Sequence, residues 1–286
     1  MTRHVVPPIF ALGVLPLGLA GQIPQAGQGT SPSFAGWNID YTLPNGWQVG
    51  QVLGRVQMLA STTEAGAIFV APGLYGNFQE IVADLSTFYQ SLGLVAYPVE
   101  QPAEGTVAGL RAMTATYASQ DQMGQMVHGR VVAVLTPHGT GFVVLGMTTP
   151  QQMQGLRATV DRVVESVKAR PPEVNQQAIA ALAGRWMYYA GKAEGVTSVM
   201  GGSSRSHEEF VTFDGQGRWE WQSSSSVSVT VPGGAGAGGA QSNADQGSYT
   251  VIGTTLVLKG TQGQQTFEIQ ILADRIIADG RIYLRQ

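Results

Sequence analysis

The spacing of apolar residues changes twice along this chain and then stays fixed, and that sequence of periods limits the fold more than any other feature. Asn38 to Leu43 alternates, Pro44-Asn45-Gly46 reads as a turn, and further period-two runs follow at Val52–Leu59 and Ala67–Ala71. The period then lengthens to 3.6. Phe78, Ile81, Val82, Leu85, Phe88, Tyr89 and Leu92 fall on one helical face, with Asn77 and Glu80 placed to cap its start and Gly93 to end it. Strand-like runs resume at Val95–Val99, Leu110–Ala118, Met126–Leu135 and Gly141–Met147. A second helical stripe follows, formed by Met153, Leu156, Val160, Val163, Val164 and Val167, and Thr149, Pro150 and Gln152 give it a capping-box start. Strand runs between single helices predict an α+β domain over residues 34–170, with an antiparallel sheet and two helices. Pro171-Pro172 breaks the second helix, and Glu173–Ala183 reads as a linker with a short helix.

From Gly184 to the C-terminus the period is two almost throughout. Phe210–Phe213, the turn Asp214-Gly215-Gln216-Gly217 and Arg218–Trp221 form the clearest hairpin. Val227, Val229 and Val231 alternate with hydroxyl residues, and short strands are expected at Tyr249–Ile252, Thr255–Leu258, Thr266–Leu272, Arg275–Ile277 and Ile282–Leu284. The Gly/Ala-rich stretch Pro232–Ala240, with the connection running on to Gln246, reads as a flexible loop. About eight strands at such spacing predict a second, all-β domain over residues 184–286, an up-and-down barrel that closes to remove its edges.

Two resemblances sharpen these expectations. Asn38-Ile39-Asp40-Tyr41-Thr42-Leu43-Pro44-Asn45-Gly46-Trp47, Gly109-Leu110-Arg111-Ala112 and the helix Val160–Val167 resemble the opening, middle and close of PsbP/DcrB-like domains. That superfamily includes photosystem assembly factors, a Ran-binding factor and bacterial envelope proteins, so the resemblance implies a fold and no single activity. Gly184-Arg185-Trp186 resembles the Gly-x-Trp opening of lipocalin-like barrels. The resemblance implies a tryptophan closing one barrel end beneath an arginine of the last strand, a part open here to Arg281 or Arg285.

Residues 1–20 read as an export signal. Arg3 and His4 precede an uncharged run, Val5–Ala20, and Gly18 and Ala20 stand at −3 and −1 of a cut before Gly21. Pro7, Pro8 and Pro16 make that run a poor membrane span, and residues 21–33 read as a flexible leader. The expected location is therefore extracytoplasmic, periplasmic or secreted, with no membrane span once the signal is cleaved.

Composition excludes several chemistries. The chain has no cysteine, which removes disulfides, thiolate metal sites and cysteine nucleophiles. Its net charge of −3 and the absence of a Lys/Arg cluster argue against nucleic acid as a partner. Charged residues are only 12% of the chain, which leaves few ionisable groups for catalysis. Of its four histidines, only His207 has a carboxylate on the same strand face, at Glu209, too small a set for a metal site, so no metal or other cofactor is expected. Serines are plentiful at Ser203, Ser204, Ser206 and Ser223–Ser226, but no Gly-x-Ser-x-Gly elbow occurs. Trp186, Tyr188, Trp219, Trp221 and Tyr249 are the candidate ligand-binding set, with a barrel core as their alternative role. The reading is a non-catalytic binding or scaffolding protein of the cell envelope, engaging an envelope protein or a small apolar ligand. A secreted hydrolase with its site at the domain junction and a barrel-type protease inhibitor are the alternatives.

Overall fold

The computed structural model describes residues 32–34, 36–120, 124–197, 201–230, 236–261 and 263–286, so the signal segment 1–20 and most of the leader lie outside the described residues. The chain divides into two compact units, Met1–Pro172 and Glu173–Gln286.

In the first unit, β1 (Ser33–Phe34) and β2 (Ile39–Asp40) begin a small sheet. Ser33 pairs with Asp40, so the expected leader ends at least one residue earlier than residue 33. β3 (Trp47–Leu53) and β4 (Val56–Ser61) form a hairpin, where the sequence suggested one strand over Val52–Leu59. Gly54 explains the difference, since its φ of 58° turns the chain between them. β5 (Ala67–Gly73) leads to α1 (Phe78–Ser91), capped as expected by the Asn77 side chain, which accepts from the Glu80 N–H at 3.0 Å. β6 (Tyr97–Pro98), β7 (Ala103–Val107), β8 (Leu110–Gln120), β9 (Met126–Leu135) and β10 (Gly141–Thr148) follow. A 3₁₀ turn at Pro150–Gln152 then precedes α2 (Met153–Ser166), and β11 (Lys168–Ala169) closes the unit. The expected capping box is altered, because Thr149 Oγ1 donates to Gln152 Oε1 at 3.1 Å and caps no backbone N–H.

The large sheet is antiparallel in the order β3-β4-β5-β10-β9-β8-β6, with β7 added on β8, and the small one runs β1-β2-β11. Period-two alternation assigns its two faces to the two helices. Val131, Ala133, Leu135, Val143, Leu145 and Met147 pack with Ile81, Leu85 and Tyr89 of α1. Gly146 points the other way, where a Cβ would lie 2.4 Å from Val160 Cγ2 of α2. All eight residues of β10 are buried, as expected for a strand covered on both faces.

The second unit begins with α3 (Gln176–Leu182), which places Ile179 and Leu182 in the barrel's core. The strands are β12 (Gly184–Thr197), β13 (Gly201–Phe213), β14 (Arg218–Thr230), β15 (Gly236–Ile252), β16 (Thr255–Gly260), β17 (Gly263–Ile271), β18 (Arg275–Ala278) and β19 (Arg281–Arg285). They close in sequence order into one antiparallel barrel. The structure is thus α+β followed by a closed eight-stranded barrel, the two architectures that the sequence predicts. The predicted hairpin turn is present, with Asp214 Oδ1 accepting from the Gln216 and Arg218 N–H groups at 2.7 and 2.9 Å.

A longer stretch also departs from expectation. Gly236–Gln246 is no loop, since β15 pairs without a break against β14 from Thr230↔Gly236 to Arg218↔Ser248. Residues 231–235 of that stretch lie outside the described residues. Glycine and alanine weaken a strand by what their side chains fail to pack, but their backbones bond to a neighbouring edge as well as any.

Candidate functional site

The barrel interior changes character along its axis. At one end it is apolar and filled. Trp186 is wholly buried, donates from Nε1 to the Leu182 carbonyl at 2.7 Å, and lies under the Arg285 guanidinium, 4.4 Å from ring centroid to Cζ. Arg285 also donates to the carbonyls of Ala181 and Ala183 at 2.9 and 3.4 Å. It therefore takes the part that the sequence left open between Arg281 and Arg285. Phe213, Trp219, Tyr249, Val251, Leu256, Leu258, Ile269 and Ile276 complete this core. Trp219 Nε1 donates to the Ser248 carbonyl at 3.1 Å, and Tyr249 packs edge-on against Phe213 at 4.8 Å. Of the five candidate aromatics, Trp186, Trp219 and Tyr249 thus stand in the core, and Trp221 packs against it partly buried.

Tyr188 belongs to a polar layer next along the axis. Strand pairing explains its composition. On β12 and β13, Tyr188 is opposite Glu209 and Ala190 is opposite His207, while β14 sets Ser223 opposite Glu209 and Ser225 opposite His207. Closure of β19 on β12 brings in Arg281 and Tyr283. The Glu209 side chain is only 7% exposed. Its Oε1 meets His207 Nε2 at 2.6 Å and Arg281 Nη1 at 3.3 Å, and its Oε2 accepts from the Tyr283 hydroxyl at 2.9 Å. Burial first, and then the Glu209 charge and hydrogen bond, raise the Tyr283 pKa well above its ordinary value, so the phenol stays a donor. Tyr188 packs on Tyr283 at 5.6 Å and under Arg281 at 5.6 Å.

Above this layer lies a cavity of about 320 Å³, lined by Ala190, Arg205, Ser206, His207, Ser225, Ser226 and Val227. Arg205, His207 and Ser225 share one strand face of its wall, whereas the Ser206 and Ser226 hydroxyls bond each other on the opposite, exposed face, and most of the wall surface is apolar. Sequence reasoning found His207 and Glu209 as a pair but missed Arg281 and Tyr283, which are 72 and 74 residues from Glu209. The one available signal was alternation, which puts residues 281, 283 and 285 on a common face. Among the described residues, no three His, Asp or Glu side chains gather into a possible metal site.

Neither a family model nor a curated protein matches the sequence. Solved structures do match parts of the chain. Cyanobacterial PsbP from Synechocystis is 14% identical, with 54% of this chain and 100% of that one covered and a TM-score of 0.40. LpqN of Mycobacterium tuberculosis, described as involved in cell envelope biogenesis, is 16% identical, with 46% and 83% covered and a TM-score of 0.34. A Bacteroides thetaiotaomicron protein is 11% identical at a TM-score of 0.38. It covers 59% of this chain, which spans about half (54%) of that structure. At such identities and scores, these likenesses carry no activity, ligand or partner over to this chain. No helix among the described residues is long and apolar enough to cross a membrane.

Proposed function

We propose that the chain is a non-catalytic binding protein of the bacterial cell envelope, and that the open part of its barrel is the binding site. The envelope location rests on the export-signal reading of residues 1–20. The binding role rests on one observation: a barrel with an apolar core of its own side chains at one end leaves a cavity of about 320 Å³ at the other, with Arg205, His207 and Ser225 on its wall. That lining, apolar over most of its surface with an imidazole and a guanidinium beside it, suits a small apolar ligand that carries a polar or anionic group. The cluster around Glu209 holds His207 in place, and an orienting layer of this kind is what a selective polar site needs.

A hydrolytic reading has one observation in its favour. Ser225 is directly across the strands from His207, whose Nε2 is held by Glu209, in the order of a nucleophile, base and orienting acid. Two facts count against it. No hydrogen bond joins Ser225 to His207 among the described residues, and Ser225 sits mid-strand between partners His207 and Gln241, where ladder pairing engages the N–H groups an oxyanion hole would require.

Native mass spectrometry of the protein isolated from its own envelope tests the binding role. A small-molecule mass on the wild type that is missing from Ser225→Trp, which fills the cavity, is the expected result. A bare monomer in both would overturn it. Labelling of Ser225 by a fluorophosphonate, lost in His207→Ala, would establish the hydrolase instead.

A further inference from the structure

The first unit has a cavity of its own, on the face of its sheet that α2 covers. Arg130 of β9 points to that face, as Val132 and Gly146 do. The residue is 9% exposed, yet among the described residues its one hydrogen bond is a long contact of 3.4 Å from Nη2 to Asp161 Oδ1. Its Nε is buried and finds no partner among them. A guanidinium carries five N–H donors, and burying one with a single weak acceptor is costly unless something else fills the gap. The side chain borders a cavity of about 220 Å³, whose other walls are Val107, Thr114, Val132, Asp161, Val164 and Glu165. That space is several times the ~30 Å³ share of a water molecule.

The charges of the lining define what fits. One guanidinium at the wall calls for an oxyanion, while two carboxylates, Asp161 and Glu165, one helical turn apart on α2, repel a simple anion and attract a cation. Val107, Val132 and Val164 offer apolar surface between them. A molecule with a carboxylate, an ammonium group and a short aliphatic side chain meets all three demands. We propose that this cavity binds a small apolar α-amino acid, its carboxylate on the Nη atoms of Arg130 and its ammonium group on Asp161 and Glu165. Thr114 supplies a hydroxyl to the same carboxylate.

The test is isothermal titration of the full chain with L-leucine, and with 4-methylpentanoate and isoamylamine, which lack its ammonium group and its carboxylate respectively. The expected result is saturable one-to-one binding of leucine, with each of these two at least ~10-fold weaker, as the loss of one charge-assisted contact implies. Arg130→Lys keeps the charge but loses the fork, and should weaken leucine at least ~10-fold. Glu165→Gln, at an exposed position, should weaken leucine while leaving 4-methylpentanoate unchanged or tighter. Absence of saturable leucine binding by the wild type would overturn the proposal. So would equal affinity for leucine and 4-methylpentanoate, or Arg130→Lys and Glu165→Gln variants that bind leucine as the wild type does.

Discussion

Trp186 is the residue on which the barrel's closed end depends, and its removal can be given a magnitude. The indole is wholly buried, so Trp186→Ala removes a large buried side chain and leaves a cavity, at a cost of about 3–5 kcal/mol. The lost bond from Nε1 to Leu182 adds about 1 kcal/mol, and the Arg285 stack about 1 more. These terms overlap, so the expected loss is about 4–5 kcal/mol, at the upper end for a core substitution. Trp186→Phe keeps an aromatic ring but loses the donor, and should cost about 1–2 kcal/mol. Arg285→Ala should cost about 1 kcal/mol, and a double-mutant cycle with Trp186→Phe should show coupling of about 0.5–1 kcal/mol. Amide hydrogen exchange in peptides from β16 and β17 is the suitable assay, because it reads opening of the barrel separately from opening of the first unit. If Trp186→Ala lowers the opening free energy of those peptides by less than about 1 kcal/mol, the indole does not close the barrel. If the Trp186→Phe and Arg285→Ala effects simply add, the stacking argument fails.

Two further outcomes follow from the geometry. A Cβ at Gly247 would lie 1.8 Å from the Lys259 carbonyl oxygen, a backbone atom that cannot swing aside, so Gly247→Ala should destabilise the barrel by about 3 kcal/mol or more. Gly239, on the same strand, has open space around its missing Cβ, so Gly239→Ala should be neutral or slightly stabilising by urea denaturation, and equal effects at the two positions would refute the contact. The phenols of Tyr41, Tyr75, Tyr89 and Tyr283 all have pKa values raised, in each case chiefly by burial. The folded state therefore favours their neutral forms, and this stability is complete below the unfolded-chain value of about 10 and lost as pH climbs through the folded values. The urea midpoint should hold from about pH 7 to 9 and fall beyond about pH 10.5, with a shallower fall in Tyr283→Phe, and an unchanged midpoint at about pH 11.5 would contradict the burial.

Much of the fold could be read from local pattern, because local pattern is what strands and helices respond to. Asn77 and Glu80 announced the start of α1, Met126–Leu135 had the bounds of β9 unchanged, and the turn at Asp214 had its strands on both sides. Errors gathered where side chains say little about backbone partners. Gly236–Gln246 has the composition of a tether, and only the free edge of β14 makes it a strand. The β3–β4 turn was missed because only two residues, Gly54-Arg55, separate the apolar residues Val52-Leu53 and Val56, so the run looks continuous until the positive φ of Gly54 is seen.

The candidate sites divide in the same way. Sequence alone determined that this chain has an α+β part and an all-β part, that it has no thiol chemistry, and that His207 and Glu209 share a face, since period and composition require no knowledge of distant partners. Tertiary structure alone decided that Arg285 and not Arg281 covers Trp186, and that Arg281 and Tyr283 close around a buried Glu209. Tertiary packing likewise left Arg130 with one weak acceptor beside a cavity. The reason is geometric: barrel closure and the packing of α2 join residues far apart in sequence, and their burial gives charges and hydrogen bonds a strength that no spacing along the chain discloses.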